Sequence, residues 1–191
     1  MRSEGGCPVA DPRVVRTRKD VLGAALDVLL DEGLEAMTHQ HVAQVAGYSK
    51  ATVYAHWPTR TDLIRDSLTR FVHVRHHRPT GALRTDLIEE LITFRSAMVE
   101  QRLDRALAVL IDLTASVPEL VDVRDRLVAE GERVIRQLLA PELQGPRLEA
   151  ATLALCGAVL HSALMHGRLP ADDVIEAAVD LVLGGSSGEG R

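Results

Sequence analysis

Aromatic residues make up only 3% of this 191-residue chain, and it has two cysteines, Cys7 and Cys156. β-Branched alternating runs are scarce, whereas Ala, Leu, Val, Arg and Glu dominate, a helix-forming mixture. Cys7 lies in a Gly/Pro-containing stretch and Cys156 in an apolar one, and nothing in this pair suggests a disulfide framework. No apolar run reaches the roughly 18 residues expected of a membrane span. The first residues, MRSEGGCPVADPR, lack the apolar centre of a signal peptide. These absences predict a cytoplasmic protein with no membrane partner. The chain also has no HExxH, no phosphate-cradling glycine loop, no GxSxG and no zinc-type Cys/His spacing. No enzyme, cofactor or metal class is indicated.

Charge is scarce in one place above all. The formal net charge is -5, so the molecule is not basic throughout. Residues 1–70 nevertheless balance nine basic against nine acidic groups, and residues 71–191 hold 13 against 18. From Thr38 to Thr61 there is no Asp or Glu at all. An acid-free window can dock on phosphates whatever the total charge, because the local potential decides.

Periodicity predicts an all-α chain of nine helices between loose ends at residues 1–15 and 184–191. The first helix is expected over 17–32, with Leu22, Ala25, Leu26, Leu29 and Leu30 as its apolar stripe and Gly33 as its stop. Thr17 and Asp20 have the spacing of a capping box. Helices at 39–46 and 50–56 follow, and a fourth runs from Thr59 to about 78, ahead of Pro79. Five more are expected at 83–101, 103–116, 118–140, 146–167 and 171–183, punctuated by Pro118, Pro141, Pro146 and Pro170. The span 146–167 is apolar almost all round and should be buried on most sides.

Residues 38–62 spell a helix-turn-helix. Thr38 can cap the second helix, Ser49 the third and Thr59 the fourth. Val42, Val45 and Ala46 face inward, and Gly47 supplies the positive φ of the turn. Val53 and Trp57 share the buried face of the third helix. Lys50, Thr52, Tyr54 and His56 are left outside. Lys50 could donate to a guanine and the Thr52 methyl could touch a thymine, while Tyr54 and His56 suit phosphates. Arg60, and likewise Arg18 and Lys19, would sit in a first helical turn, where a cation opposes the macrodipole unless a phosphate is near.

The stretch THQHVAQVAGYSKATVYAHWPTRTDL resembles the signature of the tetracycline-repressor (TetR) family, over about residues 16–70. Ala55 and Pro58 are small departures from that pattern. The resemblance implies a DNA-binding domain at 16–70, with the fourth helix as connector, and an effector-binding and dimerisation domain at 80–183. It places His39 and Gln40 at phosphate- and base-contacting positions. Lys50, Ala51, Thr52, Tyr54 and His56 fall on the recognition helix, and Arg60 on the cation that holds backbone phosphate. It implies double-stranded operator DNA, an unidentified small-molecule effector and a homodimer through helices 146–167 and 171–183. Recognition helices about 34–36 Å apart would need a near-palindromic site. Repression by blocking polymerase is the usual outcome in the family, which implies a repressor released from its operator by the effector; activation is the alternative.

The effector pocket should be aliphatic, since Phe94 is the only Phe, Tyr or Trp after the fourth helix. Its candidate residues are Arg95, Met98, Thr114, Cys156, His161, Met165 and His166. His73, His76 and His77, at i, i+3 and i+4, either complement a helix C-terminus or offer metal ligands. His161 and His166, five apart, are poorly placed to chelate from one helix. Two other classes fit the composition. One is a helical small-molecule-binding protein without operator binding, the other a small helical enzyme.

Overall fold

The computed structural model describes residues 11–186, and every regular element among them is helical. The α-helices are α1 (Pro12–Asp31), α2 (His39–Ala46), α3 (Lys50–His56), α4 (Arg60–Leu68), α5 (Leu83–Glu100), α6 (Leu103–Ser116), α7 (Val121–Leu139), α8 (Gly145–His166) and α9 (Asp172–Ser186). Short 3-10 turns cover Thr69–Val72 and Pro118–Leu120. The chain divides into two compact units, one ending at Leu68 and one beginning at Thr69. Residues 1–10 and 187–191, including Cys7 and most of the expected C-terminal tail, lie outside the described residues.

In the first unit, α1 begins five residues earlier than its apolar stripe predicts. Asp11 is the N-cap, its Oδ1 accepting the Arg13 N–H at 2.8 Å, and Pro12 opens the helix. Proline at this position loses no hydrogen bond and brings a ready-made φ. Thr17 is therefore an interior residue rather than a cap, and Arg18 and Lys19 are clear of the first turn. Val21, Ala25, Val28 and Leu29 form the buried stripe, and Gly33 (φ 85°) ends it, its N–H returning to the Val28 carbonyl at 3.1 Å. Around this helix close Met37, Val42, Val53, Trp57, Leu63 and Leu68, all essentially without solvent contact. Each such side chain contributes roughly 1.5–3 kcal/mol of burial.

The second unit begins with a departure. The expected helix to residue 78 stops at Leu68, and residues 73–80 are neither helix nor strand. The backbone there hydrogen-bonds to carboxylates instead of to itself. The His77 N–H donates to Glu90 Oε2 (2.8 Å), and the Thr80 and Gly81 N–H groups donate to Asp86 (2.9–3.0 Å). His77 Nε2 lies 3.0 Å from Asp86 Oδ1; His76 Nδ1 lies 2.7 Å from Glu90 Oε1, and its Nε2 lies 3.3 Å from Glu130. His73, His76 and His77 thus share no helix face, and the last two are turned toward acids on α5 and α7. Asp86 is fully buried, and donation from the Thr80 backbone, then from His77, the Thr80 hydroxyl and Gly81, holds its carboxyl well below the ordinary range.

The apolar helix α8 also differs from expectation. By length and composition it could span a membrane: an 18-residue window has mean hydropathy 1.6. Charged residues at its start, Arg147 and Glu149, break the uninterrupted apolar run sought in the sequence. Only 28% of that window is buried. Thr152, Leu155, Cys156 and Val159 face inward, whereas Leu153 is 55% and Met165 72% exposed. Ala150, Leu153, Ala154, His161 and Met165 follow one outer stripe. On α9, Ile175 and Val179 are buried, while Val174 and Leu181 (79% exposed) project outward.

Candidate nucleic-acid interface

Local chemistry shapes the α2–turn–α3 unit. Thr38 Oγ1 accepts the His41 N–H at 3.2 Å, and Ser49 Oγ accepts the Thr52 N–H at 3.1 Å. Between them Gly47 (φ 74°) turns the chain, and the Tyr48 N–H returns to the Ala43 carbonyl at 2.9 Å. A left-handed residue here strains any side chain with a Cβ, which is why glycine suits it. At α4, Thr59 Oγ1 accepts the Asp62 N–H and donates to Asp62 Oδ2 (2.6 Å). That hydroxyl, with Arg65, keeps the Asp62 carboxyl below its ordinary value, so a charge sits at the positive end of the helix.

Val53 and Trp57 anchor α3 to the core. The Trp57 Nε1–H donates to Asp66 Oδ2 at 2.9 Å, and Arg18 donates to the same oxygen at 2.9 Å with its guanidinium 5.0 Å above the indole. Three segments, α1, the end of α3 and α4, are thereby joined at one carboxylate. Tyr48 donates to Asp20 (2.9 Å), and His41 meets Glu32 (2.8 Å), tying the turn and α2 to α1. None of these partners is visible from sequence spacing, because Arg18 and Asp66 are 48 positions apart.

With that side of α3 fixed, Lys50, Ala51, Tyr54 and Ala55 are exposed, as is Gln40 on α2. Thr52 and His56 are half-buried, and the Thr52 hydroxyl contacts Ser49 Oγ at 2.8 Å. Lys50 Nζ lies 5.6 Å from the Tyr54 ring centre. The exposed set contains neutral and cationic groups and no acid.

Two expected contacts are turned inward. His39 is only 7% exposed; its Nε2 lies 2.7 Å from the Trp57 carbonyl oxygen, and its ring stacks on Tyr54 at 4.0 Å and 7°. A carbonyl only accepts, so Nε2 carries the proton and ties the start of α2 to the end of α3. Arg60 donates to the Leu34 carbonyl, and its Nε is buried without a partner. His39 and Arg60 therefore brace the unit rather than reach out of it.

The candidate effector residues are not gathered into one place. Cys156 alone lines an apolar pocket, of about 60 Å³, with Phe94, Leu107, Val128, Gly131 and Glu132 among its walls. Met98 borders a separate open recess with Asp104 and Arg168. Arg95 is occupied by the Pro170 carbonyl (2.9 Å) and Asp172 (2.6 Å), a brace between α5 and the start of α9. The Thr114 hydroxyl returns to the Ile111 carbonyl, and His161, Met165 and His166 lie on the surface. The rings of His161 and His166 do meet, edge to face at 4.9 Å, despite their spacing. The pocket walls contributed by α6 and α7 had no signal in the sequence beyond ordinary apolar periodicity.

Residues 21–66 match the family model described as bacterial regulatory proteins, tetR family. An HTH-type transcriptional regulator of Mycobacterium tuberculosis is 28% identical over 174 residues, 86% of this chain and 84% of the relative. The HTH-type transcriptional repressor LfrR of Mycolicibacterium smegmatis is 43% identical over 58 residues, 30% of this chain and 29% of its own length. Among solved structures, a TetR family transcriptional regulator from Pseudomonas syringae pv. tomato superposes with a TM-score of 0.65 at 22% identity, covering 92% of this chain and 97% of that one.

Proposed function

We propose that this DNA-binding transcriptional regulator, whose residues 21–66 match the tetR family model, acts as a cytoplasmic homodimeric repressor, released from a near-palindromic operator by a small molecule. Residues 16–70 carry the DNA contacts, and residues 80–183 carry effector binding and dimerisation. On α3, Lys50 and Ala51 enter the major groove, with Thr52, Tyr54 and His56 beside them and Gln40 contributing from α2. The observation that carries this is the division of α3 into two faces. Val53 and Trp57 are buried, and Lys50, Ala51, Tyr54 and Ala55 are exposed on a capped helix without acids.

Dimerisation is supported by the outward apolar residues of α8 and α9. Contiguous exposed apolar surface marks an interface, and small residues at Ala150 and Ala154 permit close helix approach. Release follows a two-state shift in which the effector prefers the conformer that misfits the operator. The test is selection of genomic fragments by the purified protein at moderate salt, followed by footprinting. Enrichment of a short near-palindrome is the expected result. Retention of all fragments alike, or of none, is the outcome that removes the operator reading.

A further inference from the structure

An apolar pocket of the second unit is lined by four helices and open on one side. Phe94 comes from α5, Leu103 and Leu107 from α6, Leu127, Val128, Gly131 and Glu132 from α7, and Cys156 and Leu160 from α8. We propose that it takes a small uncharged lipophile, a hydrocarbon or a monohydric alcohol or phenol of about one ring's size, admitted past Gly131. This deepens the regulator reading, on which its consequence for DNA rests, by naming the chemical class of the effector.

Charge is the first discriminator. Glu132, the one ionisable carboxylate in the wall, is held by the Arg136 Nε and Nη2 groups at 3.0 and 2.8 Å. Arg136 in turn reaches Glu149 at 2.7 Å. A charged ligand would thus find its counter-charge already taken, while shedding its own water into aliphatic walls. The Cys156 thiol, pushed up to about 12 by burial, stays protonated and offers only a weak S–H.

Gly131 is the second. A glycine inside a helix is unfavourable relative to alanine. A Cβ at this position would meet nothing within 4 Å, so no neighbour demands the smaller residue. What its missing side chain leaves open is the pocket wall, next to the partly exposed Val128. Size is the third. A cavity of about 60 Å³ is well below the roughly 150 Å³ that holds benzene in a closed apolar site. The pocket is only half enclosed, so a ring-sized ligand seats partly in its mouth and goes deeper by moving a wall, and a ligand that distinguishes two wall positions is one that can shift a conformational equilibrium.

The experiment compares toluene, benzoate and benzylammonium, near-isosteres of different charge, by thermal unfolding of the full chain. Saturating toluene should raise Tm by about 2–4 °C, with neither ion doing so. Gly131→Leu should abolish the toluene response, and Cys156→Phe, which fills the same pocket from α8, should do so independently if the first variant folds poorly. An equal shift from either ion, an undiminished toluene shift in both filled variants, or silence toward toluene overturns the assignment. Binding of selected DNA by the ligand-free protein is measured in parallel. Toluene silence with DNA binding intact removes the ligand class alone, whereas lost DNA binding with a toluene response removes the regulator reading.

Discussion

Of the side chains around α3, His39 and Lys50 make the sharpest contrast. His39 is buried between the Trp57 carbonyl and the Tyr54 ring. His39→Ala leaves that carbonyl unpaired and should cost about 1–3 kcal/mol, read as a lower urea midpoint at unchanged slope. Lys50 is exposed, and Lys50→Ala should leave stability within about 0.5 kcal/mol. The same change should weaken operator binding and lower the salt slope by about one, measured by titration at several salt concentrations. A salt slope and affinity equal to the parent protein's would remove Lys50 from the interface. The sequence placed both residues on the DNA side. Helix periodicity locates a residue on its own helix, but it is blind to a carbonyl 18 positions away that captures an imidazole. Arg60 escaped for the same reason, its partner being the carbonyl of Leu34.

Helices with strong local signals were legible to within a residue or two: α2, α3, α5, α6 and α8 need only an apolar period and a stop. The start of α1 was missed because Asp11-Pro12 is a cap-and-proline signal lying outside the apolar stripe. The stretch expected to continue α4 was misread for a nonlocal reason: the α5 carboxylates Glu90 and Asp86 take the backbone N–H groups of His77, Thr80 and Gly81, which a helix would have paired with its own carbonyls. Asp86 is the centre of that anchor. Its carboxyl is held below the ordinary value, so its stabilisation is complete above the unfolded pKa of about 3.9 and is lost as pH falls beneath it. Asp86→Asn should therefore lower Tm by several degrees (roughly 4–8 °C) at pH 7, and the gap to the parent should narrow below about pH 4. A gap that is the same at pH 3 and pH 7 would contradict the assigned charge. In α7, Gly131→Ala places a methyl in open space and should stabilise by about 0.5–1 kcal/mol, checked by chemical denaturation.

Across the whole chain, the all-helical class and the helix-turn-helix were legible because both are written in short-range patterns. Which face of α8 is covered was not, since composition reports how apolar a helix is and not what lies against it. The exposed Leu153 and Leu181 lead to an expected outcome at this scale. Leu153→Glu with Leu181→Asp should give a monomer by analytical ultracentrifugation and reduce operator affinity at least tenfold, with helicity by circular dichroism retained. A dimer of unchanged affinity would place the interface elsewhere. At the other end of the chain, Gln40, Lys50, Ala51 and Ala55 stand outside the packing that holds α2 and α3, whereas Trp57, Asp66, Arg18 and His39 carry it. The positions facing outward are thus free to drift after gene duplication. A descendant can acquire a different binding preference by exchanging three or four surface residues while inheriting its scaffold untouched.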